Sequence, residues 1–167
     1  MVMEELSDLI LLENFSNPVL VPIPLSRKRL RERGYNQCEI LVKGILEVGG
    51  GGRFRGRLGK KVGGSFSGSF SGEHRTRFGE KYLEDGTGML QKVVDNEHQA
   101  RARNKSFRLR NIVGTFRAHR SVLGRSVAGR NVILIDDVTT TGATLEEARK
   151  TLLEAGALRT IAFTLAH

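Results

Sequence analysis

A single cysteine, Cys38, stands among 167 residues, which excludes an intrachain disulfide framework and any zinc site built on several thiols. The four histidines, His74, His98, His119 and His167, show no metal-ligand spacing that would replace it. No apolar stretch approaches the roughly 18 residues that a membrane-spanning helix needs, so no membrane insertion is expected. Leu6, Leu9, Ile10 and Leu12 recur at helical spacing over 1–15, but acids flank them and no basic segment precedes them. They read as a short amphipathic helix rather than a signal peptide, and a cytoplasmic protein is expected. Asn14-Phe15-Ser16 and Asn104-Lys105-Ser106 fit the glycosylation acceptor pattern and, without a secretory route, are chance matches. Acidic residues are in deficit too, 18 against 27 Lys+Arg, for a formal net charge of +9. A field of that sign calls for a polyanionic partner: a phosphate-rich substrate, nucleic acid or both. The length is that of one domain around one core.

What the chain does have is concentrated in one run. Val132-Ile133-Leu134-Ile135 is an apolar strand signal that leads directly into Asp136-Asp137, then Val138, Thr139, Thr140, Thr141, Gly142, Ala143 and Thr144. Leu145, Ala148 and Leu152 follow on one face of a helix expected over 145–155. In open α/β sheets ligands bind beyond the carboxyl ends of the strands, which is where the two acids fall. The helix start offers free N–H groups and the positive end of a dipole to an anion, worth about 0.3–1 kcal/mol for the dipole alone in exposed settings. Gly142 permits close backbone approach and the threonines add donors. The acids are too near that anion to pair with it and suit sugar hydroxyls instead, so the combination specifies a ribose 5-phosphate. Two aspartates alone would more simply cap the next helix.

The whole string resembles the phosphoribosyl pyrophosphate (PRPP) signature of type I phosphoribosyltransferases, in which two acids hold the ribose hydroxyls and the Thr/Gly turn cradles the 5-phosphate. Two further segments resemble the ComF branch of that superfamily, a group associated with DNA uptake in natural competence. One runs from Val21-Pro22-Ile23-Pro24-Leu25-Ser26-Arg27-Lys28-Arg29 to Arg33-Gly34-Tyr35-Asn36-Gln37; the other comprises Gln99, Arg108, Asn111, Gly114 and Phe116. The resemblance covers most of 19–47 and 90–167 and not the stretch between. ComF-like proteins often carry an N-terminal four-cysteine module that this sequence lacks, and its N-terminus reads as short of the first part of the usual domain.

The resemblance implies an α/β fold: a type I phosphoribosyltransferase-like parallel sheet with helices on both faces. Strands are expected at 19–23, 90–94, 115–118 and 158–166 besides the one before Asp136, with a helix that Arg33 to Gln37 lead into and that runs to about Leu46. Pro22 and Pro24 require the first strand to end there. The loop after it, with Ser26, Arg27, Lys28 and Arg29, is by resemblance the pyrophosphate loop; a solvated basic helix start is the plainer reading of the same residues. Asn36 and Gln37 either cap the following helix or reach the site. By resemblance also, a loop over 95–111 closes on the pyrophosphate, with Arg108 as the first contact and Gln99 a weaker one. Closure excludes water from an oxocarbenium-like transition state.

Residues 48–88 break the pattern: Gly49 to Gly52 open a Gly/Arg/Ser-rich stretch with almost no aliphatic residue, expected to be a disordered insertion in the single domain 1–167. Gly59-Lys60-Lys61 lacks the hydroxyl residue of a phosphate loop. Arg-Gly content with Phe54, Phe66 and Phe70 suits single-stranded nucleic acid as well as an inert insertion.

The expected arrangement is therefore Mg²⁺-bound PRPP with its ribose on Asp136 and Asp137, its 5-phosphate on the turn from Thr139 to Thr144, and its pyrophosphate on the Ser26 to Arg29 loop. Magnesium arrives with PRPP, no side chain being assigned as its ligand, while a nitrogen nucleophile attacks the anomeric carbon. No general base is evident. The alternatives are a non-enzymatic DNA-uptake factor that binds single-stranded DNA or a competence ATPase on the same scaffold, and a PRPP-sensing regulator.

Overall fold

A computed structural model describes residues 2–49, 75–78, 81–93, 114–119, 126–138 and 142–166. Four strands run parallel at its centre. They are β1 (Val19–Pro22), β3 (Lys81–Asp85), β6 (Asn131–Val138) and β7 (Arg159–Ala166), and β2 (Arg75–Phe78) adds an antiparallel edge to give the order β2-β3-β1-β6-β7. Leu20 pairs with Ile133 and Val21 with Leu134, so the two most apolar strands are neighbours at the centre of the sheet. Both are buried on both faces, which explains their unbroken apolar runs.

The pleat divides the core in two. Leu20, Ile133 and Ile135 point to one face, where they meet Leu6 and Ile10 of α1 (Val2–Leu12) and Val42 and Ile45 of α3 (Gln37–Gly49). Val19, Val21, Val132 and Leu134 point to the other, against Ala148 and Leu152 of α4 (Ala143–Glu154). Helices thus cover both faces of a parallel sheet, as the sequence implied. No helix among the described residues is long and apolar enough to cross a membrane.

Three expectations are corrected. Strands at 90–94 and 115–118 do form, as β4 (Leu90–Lys92) and β5 (Phe116–Ala118), but they pair antiparallel in a second, two-stranded sheet. Leu90 and Phe116 bury against the α4 side of the core, so this small sheet packs as a layer instead of extending the large one. Within the stretch expected to be disordered, 48–88, the described residues include β2, β3 and the turn at 86–88, and β3 pairs in register with β1. Its middle, 50–74, lies outside the described residues. Third, the segment after β1 is not a loop beyond Ser26. Ser26 caps α2 (Arg27–Arg33), its hydroxyl accepting from the Arg29 N–H at 3.3 Å, and Gly34 closes the helix at φ +80°. The plainer reading, a basic helix start, is the one the backbone adopts.

Candidate functional site

Five buried residues of β6 are followed by Asp136 and Asp137, both half-buried, at the carboxyl end of the central strand. One oxygen of Asp136 accepts from the Asp137 N–H at 3.0 Å and from the Cys38 thiol at 3.5 Å, while Asp137 accepts from the Val138 N–H at 2.9 Å. Cys38 comes from the first turn of α3, which Asn36 holds in place. The Asn36 side chain accepts from the Cys38 N–H at 3.1 Å and donates to the Ile23 carbonyl at 3.0 Å, tying the helix start to the end of β1. Asn36 therefore caps α3.

Burial raises the Asp136 carboxyl above its ordinary range; the Asp137 N–H and the Cys38 thiol pull the other way without offsetting it. The thiol itself is pushed up to about 12, first by burial and then by the charges of the two aspartates. It stays protonated and acts as a donor. Ligand atoms of Cys38, Asp136 and Asp137 lie within 4.8 Å of one another. A hard cation such as Mg²⁺ prefers the two carboxylates to the sulfur.

Beyond Val138, Thr139, Thr140 and Thr141 lie outside the described residues. Gly142 is the N-cap of α4 at φ +69°, a left-handed conformation that favours glycine, and makes no side-chain capping bond. Ala143 and Thr144 begin the helix itself, two residues earlier than expected. An N-terminus of this kind presents N–H groups to an anion, and its cap, Gly142, lies five positions beyond Asp137 along the chain.

The basic residues divide. Lys28 pairs with Glu32 at 4.0 Å on the exposed face of α2. Arg27 lines a cavity of about 480 Å³ that opens beyond β1, and its side chain has no ion-pair partner among the described residues. Pro24, Leu25 and Leu30 form one side of the cavity and Leu90, Gln91 and Lys92 of β4 another. His119 closes it, 3.2 Å from Gln91, and Glu39 faces in from α3. Asp136 and Asp137 do not line it. Arg108 and Gln99 lie outside the described residues.

Cys38, Glu39, Gln91, Lys92 and His119 were not singled out in the sequence as site residues. Cys38 reaches Asp136 across 98 positions, and His119 reaches Gln91 across 28. No local pattern marks such pairs.

No family model matches the chain. Competence protein ComFC of Bacillus subtilis (strain 168) is similar at 28% identity over 148 residues, which are 88% of this chain and 43% of that protein. The chain spans less than half the length of this curated relative. A hypoxanthine phosphoribosyltransferase from Staphylococcus aureus is similar in structure at a TM-score of 0.43 and 13% identity, over 98% of this chain and 60% of that one. The similarity to this competence protein agrees with the resemblance that the sequence segments around Ser26, Arg108 and Asp136 carry.

Proposed function

We propose that this protein binds Mg²⁺-PRPP in the cytoplasm and transfers its phosphoribosyl group to a nitrogenous acceptor. The observation that carries the reading is the placement of Asp136 and Asp137 at the open end of the central parallel strand, just before a helix whose N-cap, Gly142, has no side chain to cap its first amides. Carboxylates accept from vicinal hydroxyls, and the α4 start takes a phosphate at the other end of the same sugar. Cys38 and the Asp137 N–H orient Asp136 for that contact.

Magnesium would arrive on the pyrophosphate and supply charge neutralisation to the leaving group. The pyrophosphate would lie against the first turn of α2, whose Ser26 is committed to its cap and whose Lys28 also meets Glu32, with Arg29 beside them and Arg108 as its partner from the 95–111 segment. The test is calorimetric titration of PRPP with and without Mg²⁺ into the protein and into Asp137→Asn. Asparagine keeps an acceptor for the Val138 N–H, so the fold survives while affinity falls about tenfold or more, the scale of one lost charge-assisted contact. Unchanged affinity in a folded variant would reject the assignment.

A second reading has its own support in the +9 charge and in the similarity to a competence protein. On this reading the scaffold binds single-stranded DNA or a competence ATPase and turns nothing over.

A further inference from the structure

Asn36 does more than a helix cap requires. A cap needs one acceptor, and Asp or Ser serves in that place about as well as Asn. The Asn36 side chain is almost wholly buried, and its amino group is engaged too, donating to the Ile23 carbonyl at 3.0 Å and to the Glu39 carboxylate at 3.4 Å. The reverse orientation of the amide would set its oxygen against those two acceptors, so the network fixes which way it points.

Ile23 carries the contact onward. Its N–H donates to the Ile135 carbonyl at 2.9 Å, and because Pro22 and Pro24 have no N–H, it is the one amide that 22–24 can offer to β6. Ile135 is the residue before Asp136. From the other side, the Cys38 N–H donates to Asn36 at 3.1 Å and the Cys38 thiol donates to the Asp136 carboxylate at 3.5 Å. The bonds close a ring, from Asn36 to Ile23, through Ile135 to Asp136, then to Cys38 and back to Asn36. Asp136 is thereby held by its backbone and its side chain at once. We propose that Asn36 is a positioning residue of the acid site, fixing the Asp136 carboxylate through this ring.

The consequence for ligand binding rests on the PRPP reading. A carboxylate held from two sides meets a ribose hydroxyl without first having to be ordered, which lowers the cost of binding. Asn36 acts through Asp136 and not on the sugar itself.

Asn36→Asp and Asn36→Ser each keep a capping oxygen for the Cys38 N–H and lose the amide donors. The serine brings no new charge into the buried site and carries the test where the aspartate fails to fold. Each folded variant is titrated with Mg²⁺-PRPP well below its melting temperature. In parallel Cys38, the single thiol of the chain, is labelled with a maleimide in the absence of PRPP. PRPP affinity should fall about tenfold and labelling should speed up by about as much, the scale of one lost buried hydrogen bond. In a Cys38→Ala background, where the ring is already open, Asn36→Ser should cost less affinity than in wild type, and Cys38→Ser should recover most of what Cys38→Ala loses. Unchanged PRPP affinity in a folded Asn36 variant, or a loss that simply adds to that of Cys38→Ala, would leave Asn36 a helix cap alone and overturn the proposal. Should wild type bind no PRPP, the PRPP reading falls by itself. The thiol then decides about the ring: faster labelling in Asn36→Ser upholds it, and an unchanged rate overturns it.

Discussion

Asp136 is placed where its charge costs stability and where, on the PRPP reading, that charge serves binding. Burial holds its carboxyl above the ordinary value of 3.8 despite the two donors on it. A carboxyl with a raised value in the folded state holds its proton more tightly there than in the unfolded chain. Stability therefore falls as pH rises from the unfolded value through the folded one, and the cost is full above the folded value. Asp136→Asn keeps an acceptor for the Asp137 N–H and the Cys38 thiol and removes the charge. The variant should melt at a higher temperature than wild type at pH 7, with the advantage shrinking as pH falls toward 4, and it should lose PRPP. Thermal denaturation across that range checks it; a gain that does not depend on pH, or a loss at pH 7, would count against a charge-strained Asp136. Stability gained where binding is lost is the pattern of a site residue.

The elements that carry the site were legible to the degree that their signals were local. β1, β6 and β7 announced themselves by apolar runs, and α1, α3 and α4 by apolar spacing, because a strand or helix buried along its length must show that period in its own residues. β3 shows none. Its buried residues are Leu83 and Glu84, and Glu84 is tolerated inside because Arg130 meets it at 3.0 Å from the turn before β6, 46 positions away. α2 differs: the Ser26 cap and the left-handed Gly34 that bound it are local capping chemistry, and they favour a helix where the family resemblance implies a loop. What seats β3 beside β1 is the turn after it. A Cβ on Gly86 would lie 2.7 Å from methyls of Val19 and Val21 and 2.8 Å from the Leu20 carbonyl oxygen, which already accepts the Gly86 N–H at 2.8 Å. The carbonyl cannot retreat without losing that bond. Gly86→Ala is expected to cost about 1–3 kcal/mol, the usual penalty of overpacking a core. It should be read as a lower urea midpoint with unchanged slope, and a cost under about 0.5 kcal/mol, the scale of an ordinary surface substitution, would mean that β3 has room to move away from β1.

At the scale of the whole molecule, the +9 charge and the acid pair pull a polyanion in opposite directions. Some of the basic residues pair locally, as in the exposed Arg149–Glu146 and Lys150–Glu154 pairs of α4, which add little to stability and leave the net charge as it is. That net charge attracts any phosphate chain at long range, while Asp136 and Asp137 repel a DNA backbone at the mouth of the proposed sugar site. Single-stranded DNA is therefore expected to bind away from those acids. The affinity of a labelled oligonucleotide, followed by fluorescence anisotropy, should fall with salt at a slope of about −0.7 in log K per phosphate contact. Saturating Mg²⁺-PRPP should leave that affinity unchanged, since a small ligand seated on Asp136, Asp137 and the α4 start does not cover a surface elsewhere. A flat salt response would remove the electrostatic attraction. Displacement of the oligonucleotide by PRPP would put DNA on the sugar site itself, making transfer and DNA binding mutually exclusive activities of one pocket.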